Sequence, residues 1–142
     1  MRMSRSLCAL VLMFAAGFGV GQAFRSDVSA QGKKVYELRT YYTHPGKLED
    51  LNKRFRDHTT RLFEKHGMTN VGYWVPQDEP AHSNTLIYVI AHDSREQAKK
   101  NWASFGADAD WQKVKTASEA NGKIVEKVDS VFMDSTDYSK IK

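Results

Sequence analysis

Glu37 and Arg39 stand two residues apart in the run Val35-Tyr36-Glu37-Leu38-Arg39-Thr40-Tyr41-Tyr42, ahead of Thr43-His44-Pro45-Gly46. Successive side chains leave a strand on opposite faces, so as a strand this run puts Val35, Glu37, Arg39 and Tyr41 on one side. Tyr36, Leu38, Thr40 and Tyr42 take the other. An arginine fork beside an acid can bind a carboxylate or an enolate, with Glu37 as its orienter or as a general base. The competing reading is a structural pair that fixes how two subunits meet. His58 is the third candidate, an acid or base near neutral pH or a boundary histidine bonded to a backbone carbonyl. His66, eight residues further on, would lie about 12 Å away along a helix, so one metal cannot use both. His44, His82 and His92 are scattered, no pair has metal-ligand spacing, and neither a metal nor a cofactor is expected. Tyr73, Tyr88 and Trp74 could line a pocket for an aromatic ligand, although aromatic residues more often fill a core. Trp102 and Trp111 read as structural. No nucleotide loop, nucleophile elbow or triad signature is present.

The elements that must position these residues follow from periodicity. Gly46 to His66 carries Leu48, Leu51, Phe55, Leu62 and Phe63 at helical spacing, with Glu49 and Asp50 in the first turn, Lys65 and His66 in the last, and Gly67 as a cap. Thr69 to Val75 reads as a second strand, closed by Pro76. Thr85 to His92 is a third, and its run Leu86-Ile87-Tyr88-Val89-Ile90-Ala91 suits a strand buried on both faces. Ser94 opens a second helix, Gln97 completing a capping box, with Ala98, Trp102 and Phe105 inward. Gly106 and Asp108 break it, and a further helix with Trp111, Val114 and Ala117 ends near Gly122. A last strand runs from about Ile124 to Met133, and a polar tail follows from Asp134. The order strand, helix, strand, strand, broken helix, strand is α+β and ferredoxin-like, a four-stranded antiparallel sheet with its helices on one face. The third strand is apolar on both sides and no element remains to cover the second face. A second copy of the chain, packed sheet against sheet, is the expected cover, which moves Glu37 and Arg39 towards a barrel interior or a dimer interface.

Residues 1–30 read as a signal peptide. Arg2 and Arg5 precede an apolar run from Leu7 to Val20, and Val28-Ser29-Ala30 offers small residues for cleavage; an uncleaved anchor over residues 7–23 is the alternative. Export to the periplasm or beyond is therefore expected, and a membrane association only if the segment stays. Residues 31–142 make one small domain. Cleavage removes three arginines and one aspartate, lowering the formal charge of +4 by two, and a near-neutral domain gives no reason to expect nucleic-acid binding. The single cysteine, Cys8, lies in the leader, so disulfides, thiolate metal sites and a cysteine nucleophile are excluded from the domain.

Tyr36-Glu37-Leu38-Arg39-Thr40-Tyr41, the His44-Pro45-Gly46 turn, Glu64-Lys65-His66-Gly67-Met68, Gly72-Tyr73-Trp74 and the Trp102-to-Trp111 segment with Phe105 and Asp110 together resemble a NIPSNAP domain. The likeness spans about residues 34 to 133. It implies a dimeric α+β barrel, two ferredoxin-like sheets with helices outside, and no firmly assigned reaction. The wider group includes cofactor-independent monooxygenases, haem-degrading enzymes and small isomerases, and such likeness of fold does not name a chemistry. Two functions follow as expectations. One is a small-molecule-binding or interaction module working as a homodimer; the alternative is a cofactor-independent monooxygenase or isomerase-like enzyme acting on a small organic compound in the barrel pocket.

Overall fold

The computed structural model describes residues 33–142. The leader therefore lies outside the described residues. Strand β1 (Val35–Thr43) leads through the His44 turn into α1 (Leu48–Arg54), which continues as a π-helical turn (Phe55–Thr59) into α2 (Thr60–Lys65). Strands β2 (Thr69–Trp74) and β3 (Thr85–His92) follow, then α3 (Arg95–Ala107), α4 (Ala109–Ser118) and β4 (Val125–Asp134). The sheet is antiparallel in the order β2-β3-β1-β4, the ferredoxin-like arrangement.

The first helix departs from the uninterrupted helix expected over Gly46 to His66. It carries one extra residue per turn at Phe55–Thr59, and the hydroxyls of Thr59 and Thr60 donate to the carbonyls of Arg54 and Phe55, both at 3.2 Å. Those two carbonyls would otherwise lose part of their helical bonding, and a threonine five residues ahead of each replaces it. Gly67 ends α2 as expected. Its φ is +75°, its N–H reaches Glu64 O at 3.0 Å, and Met68 N–H reaches Phe63 O at 2.9 Å, the bonds of a Schellman turn. A Cβ at Gly67 would sit 3.3 Å from Asn101 Oδ1, in a backbone region that side chains resist. Gly67→Ala is expected to destabilise the fold by about 1–2 kcal/mol, measured by thermal or urea unfolding.

Ser94 caps α3 by accepting from Gln97 N–H at 3.0 Å, yet the reciprocal half of the capping box is not made. The Gln97 amide instead donates to Asn101 Oδ1 at 2.7 Å, and Asn101 in turn donates to Gly67 O at 3.0 Å. The break between α3 and α4 falls at Asp108, whose carboxylate takes Asp110 N–H at 2.7 Å and Trp111 N–H at 3.2 Å.

The two faces of the sheet differ. Leu86, Tyr88 and Ile90 of β3 meet Leu51, Phe55, Phe63 and Phe105 of the helices in one core. Phe55 packs edge-on against Tyr41 at 5.8 Å, Phe63 meets Phe105 at 5.0 Å and Trp102 at 5.4 Å, and Tyr73 stacks on Tyr88 at 5.3 Å. On the opposite face, register places Leu38 between Val89 and Val131, and Tyr36 between Ala91 and Met133. Trp74 lies there beside Ile87, 53% exposed, with its ring folded over Gly72 so that a Cβ on Gly72 would come within 2.5 Å of it. Val131 is 55% exposed. The tail is less polar in placement than in composition: Ser135, Thr136, Ser139 and Ile141 turn back to one end of this face, enclosing a recess of ≈ 320 Å³ with Tyr36 and Trp74. The third strand is thus apolar on both sides, and among the described residues none covers the centre of the second face.

Candidate functional site: the Glu37–Arg39 cluster

The strand alternation read from sequence is the one observed, but it puts Glu37 and Arg39 on the helix-covered side. They do not face the open side of the sheet, so the expected placement in a barrel interior or sheet-to-sheet interface is corrected. The reason is register. Glu37 lies opposite Ile90 and Arg39 opposite Tyr88, both core residues under the helices.

Glu37 has 1% of its side chain exposed and is held by four donors from four elements. Oε1 accepts from Arg39 Nη1 at 2.6 Å and from Ser130 Oγ of β4 at 2.7 Å. Oε2 accepts from Trp102 Nε1 of α3 at 2.7 Å and meets His92 Nε2 of β3 at 3.0 Å. His92 is wholly buried, and its Nδ1 has no partner, which suits the tautomer carrying its proton on Nε2. Burial alone would push the Glu37 carboxyl up. The bonds from His92, Ser130, Trp102 and Arg39 outweigh that and hold it at about 2. Such a carboxylate has too little basicity to take a proton from carbon near neutral pH, so the geometry makes Glu37 an anchor.

The low value ties stability to acid. Between 4.5 and about 2 the unfolded chain binds a proton that the folded chain refuses. The Glu37 contribution, about 3 kcal/mol, is therefore complete above about pH 4.5 and disappears as pH falls towards 2. Urea midpoints measured from pH 6 to pH 2.5 are expected to drop in that window, and the drop is expected to be smaller in Glu37→Gln, which keeps only the part due to other carboxylates such as Asp108.

Arg39 is less buried, with 17% of its side chain exposed. Its guanidinium lies 4.3 Å from the Trp102 ring centre and 5.5 Å from that of Tyr41. Its Nε and the Tyr88 hydroxyl are buried without hydrogen-bond partners. Along the same side of β4, Ser130 is exposed and Phe132, the register partner of Glu37, lies under the Arg95 guanidinium at 3.5 Å. Two guanidinium groups, each over an aromatic ring, thus lie on this side of the sheet near its β4 edge.

The other sequence candidates do not join this cluster. His58 sits half-buried in the π-turn and faces a groove beside α4, away from Glu37. Trp74 is on the open face of the sheet, so it does not share a pocket with Tyr73 and Tyr88. Tyr88 is fully buried core, and the Tyr73 hydroxyl donates to Asn70 Oδ1. Burial pushes both phenols well above their usual range, so they remain neutral. Trp102 is the opposite case, a residue read as merely structural that contributes a donor to the cluster.

Sequence reasoning missed three of the Glu37 partners, and each left a trace. His92 and Ser130 are polar residues on strands flanking β1, diagonal to Glu37 in the antiparallel register. Trp102 lies on the buried stripe of its helix, where an indole N–H needs an acceptor. A second polar group joins helix ends: His66 meets Ser104 Oγ at 2.7 Å through Nδ1 and Asp108 Oδ2 at 2.6 Å through Nε2. Lys65 Nζ shares that carboxylate oxygen at 2.7 Å, and the Lys65 and His66 bonds hold the Asp108 carboxyl far below its usual range. Since Asp108 also caps α4, this group locks α2 to the joint between α3 and α4. Among the described residues no three His, Cys, Asp or Glu side chains are grouped to hold a metal, and no helix is long and apolar enough to cross a membrane.

Comparison with known proteins agrees with this architecture. A NIPSNAP family protein of unknown function from Agrobacterium tumefaciens superimposes with a TM-score of 0.67 at 21% identity, covering 78% of this chain and 95% of that one. The cofactor-independent oxygenase SnoaB from Streptomyces nogalater does so with a TM-score of 0.50 at 10% identity, covering 77% and 99%. A Streptomyces coelicolor monooxygenase, determined in complex with nanaomycin D, gives 0.50 at 15% identity, covering 75% and 89%. At these identities the likeness is one of fold. No curated protein matches the sequence. The NIPSNAP family model matches residues 36–140, which takes in all four helices and all but the first residue of the sheet, and the chain belongs to the NIPSNAP family.

Proposed function

We propose that this chain is an exported homodimer that binds a small organic ligand beside Arg39, with Glu37 as the fixed anchor of that arginine. The four-donor Glu37 site carries the reading. A carboxylate committed to Arg39, Ser130, Trp102 and His92 cannot turn to a substrate, yet it holds the guanidinium in one orientation against Trp102. Pre-orientation of this kind lowers the cost of binding a carboxylate or enolate, and the flanking aromatic rings suit a planar body. The leader-like residues 1–30 support export, cleaved or retained as an anchor. The apolar row Leu38, Val89 and Val131 supports a second copy packed on the open face.

A cofactor-independent oxygenase is the second reading, favoured by the fold shared with SnoaB and the Streptomyces coelicolor monooxygenase. Under it Arg39 would stabilise the enolate form of a bound substrate, and Glu37 would not be its base. Native mass spectrometry of the protein purified from its source separates binding from mere structure. A bound small molecule is expected in the wild type and is expected to be lost in Arg39→Leu while the dimer persists. Retention of that molecule by Arg39→Leu sinks the ligand role, and oxygen uptake with turnover of the released compound would favour the oxygenase.

A further inference from the structure

The outer side of the helix layer holds a second concavity, remote in composition from Glu37 and Arg39. The α1 helix with its π-turn and α2 forms one wall, α4 the other, and the groove between them encloses ≈ 770 Å³. That lies within the range of small-ligand sites. Its acidic groups are already committed: Asp57 pairs with Lys53 at 2.6 Å, Asp50 with Lys47 at 3.1 Å and Asp110 with Lys65 at 3.3 Å. Arg54 lines the groove with 4% of its side chain exposed. Its Nη1 is spent on Ser118 Oγ at 3.3 Å and Glu119 Oε1 at 3.2 Å, while its Nε is buried without a partner.

Two cations are left over. Arg61 on one wall and Lys113 on the other have no ion-pair partner among the described residues, and half-buried His58 shares the groove with them. Val114 and Ala117 give it an apolar strip. Uncompensated positive charge in a concave surface with low-dielectric walls attracts and concentrates anions. The wall that presents His58 is the π-turn itself, an irregularity that costs helical bonding and is found often at functional sites.

We propose that this groove binds a small organic anion, a phosphate- or carboxylate-headed compound with a short apolar body, clamped between Arg61 and Lys113 over Arg54. The test uses the full chain, titrated with phenyl phosphate, benzoate and phenol and followed by amide NMR shifts. Saturable shifts in α1, the π-turn, α2 and α4 are expected with at least one of the two anions. Phenol is expected to bind at least about tenfold more weakly, since a charge-assisted contact is worth roughly that factor or more. The stronger of the two anions identifies the head group. Arg61→Gln with Lys113→Gln, both exposed and therefore neutral for folding, is expected to weaken anion binding by about tenfold or more. Arg39→Leu is expected to leave it unchanged, which separates this site from the one beside Glu37. Equal binding of phenol, undiminished binding by the double variant, or no saturable shift with either anion overturns the proposal.

Discussion

Glu37→Ala is expected to destabilise the domain by about 3–5 kcal/mol, the largest effect of any single polar substitution in it, because it leaves a buried cation and its companions without an acceptor. The deletion strands Arg39 Nη1, Trp102 Nε1 and His92 Nε2 at once. Arg39 already has a buried Nε without a partner, so no alternative acceptor is at hand within the cluster. For a domain of this size the loss amounts to roughly 15–30 °C in Tm. The double variant Glu37→Leu with Arg39→Leu is expected to recover much of it, since an apolar pair of similar bulk removes the orphaned charge. Ser130→Ala removes one neutral bond at an exposed position and is expected to cost about 1 kcal/mol or less. Urea unfolding of the three variants checks the ranking. A single Glu37→Ala cost within 1 kcal/mol of Ser130→Ala would show that the carboxylate anchors nothing.

Val131→Asp is expected to convert the proposed dimer to a monomer. Val131 lies on the edge strand β4, on the open sheet face, beside Leu38, which lies beside Val89, and a carboxylate there must be desolvated when a second sheet packs on it. A penalty of about 3 kcal/mol weakens association by roughly a hundredfold. In the isolated chain Val131 is 55% exposed, so the same substitution should leave the fold of each subunit nearly as stable as before. Sedimentation equilibrium at micromolar concentration reads both parts: a wild-type dimer and a folded Val131→Asp monomer. A wild type that sediments as a monomer contradicts the homodimer outright.

Strands and turns were legible because their signals are local. The Thr85 to His92 run matches β3 at both ends, Gly67 caps α2, and Asp108 separates α3 from α4, each set by residues within a few positions. The π-turn was not legible, because Leu51, Phe55, Leu62 and Phe63 fit an ordinary helix and the only hint is threonine hydroxyls placed five residues beyond Arg54 and Phe55. The site divided in the same way. That Glu37 and Arg39 share a face is a matter of alternation along one strand. Which layer covers that face depends on the register with β3 and on Trp102 from α3, contacts 55 and 65 residues apart in the chain. Aromatic composition could not tell Trp74 on the open face from Tyr88 in the core, since either environment accepts a large ring.

Glu37 stands in this fold as a permanently ionised anchor, its basicity spent on holding Arg39. Its side-chain carboxyl carbon, followed by NMR in selectively labelled protein as pH is lowered, tests this most directly. A midpoint near 2 is expected in the folded chain, with no further transition up to neutral pH. A midpoint at or above the ordinary value of 4.5 would mean that the four donors do not hold the carboxylate and that Glu37 is free to act as a base.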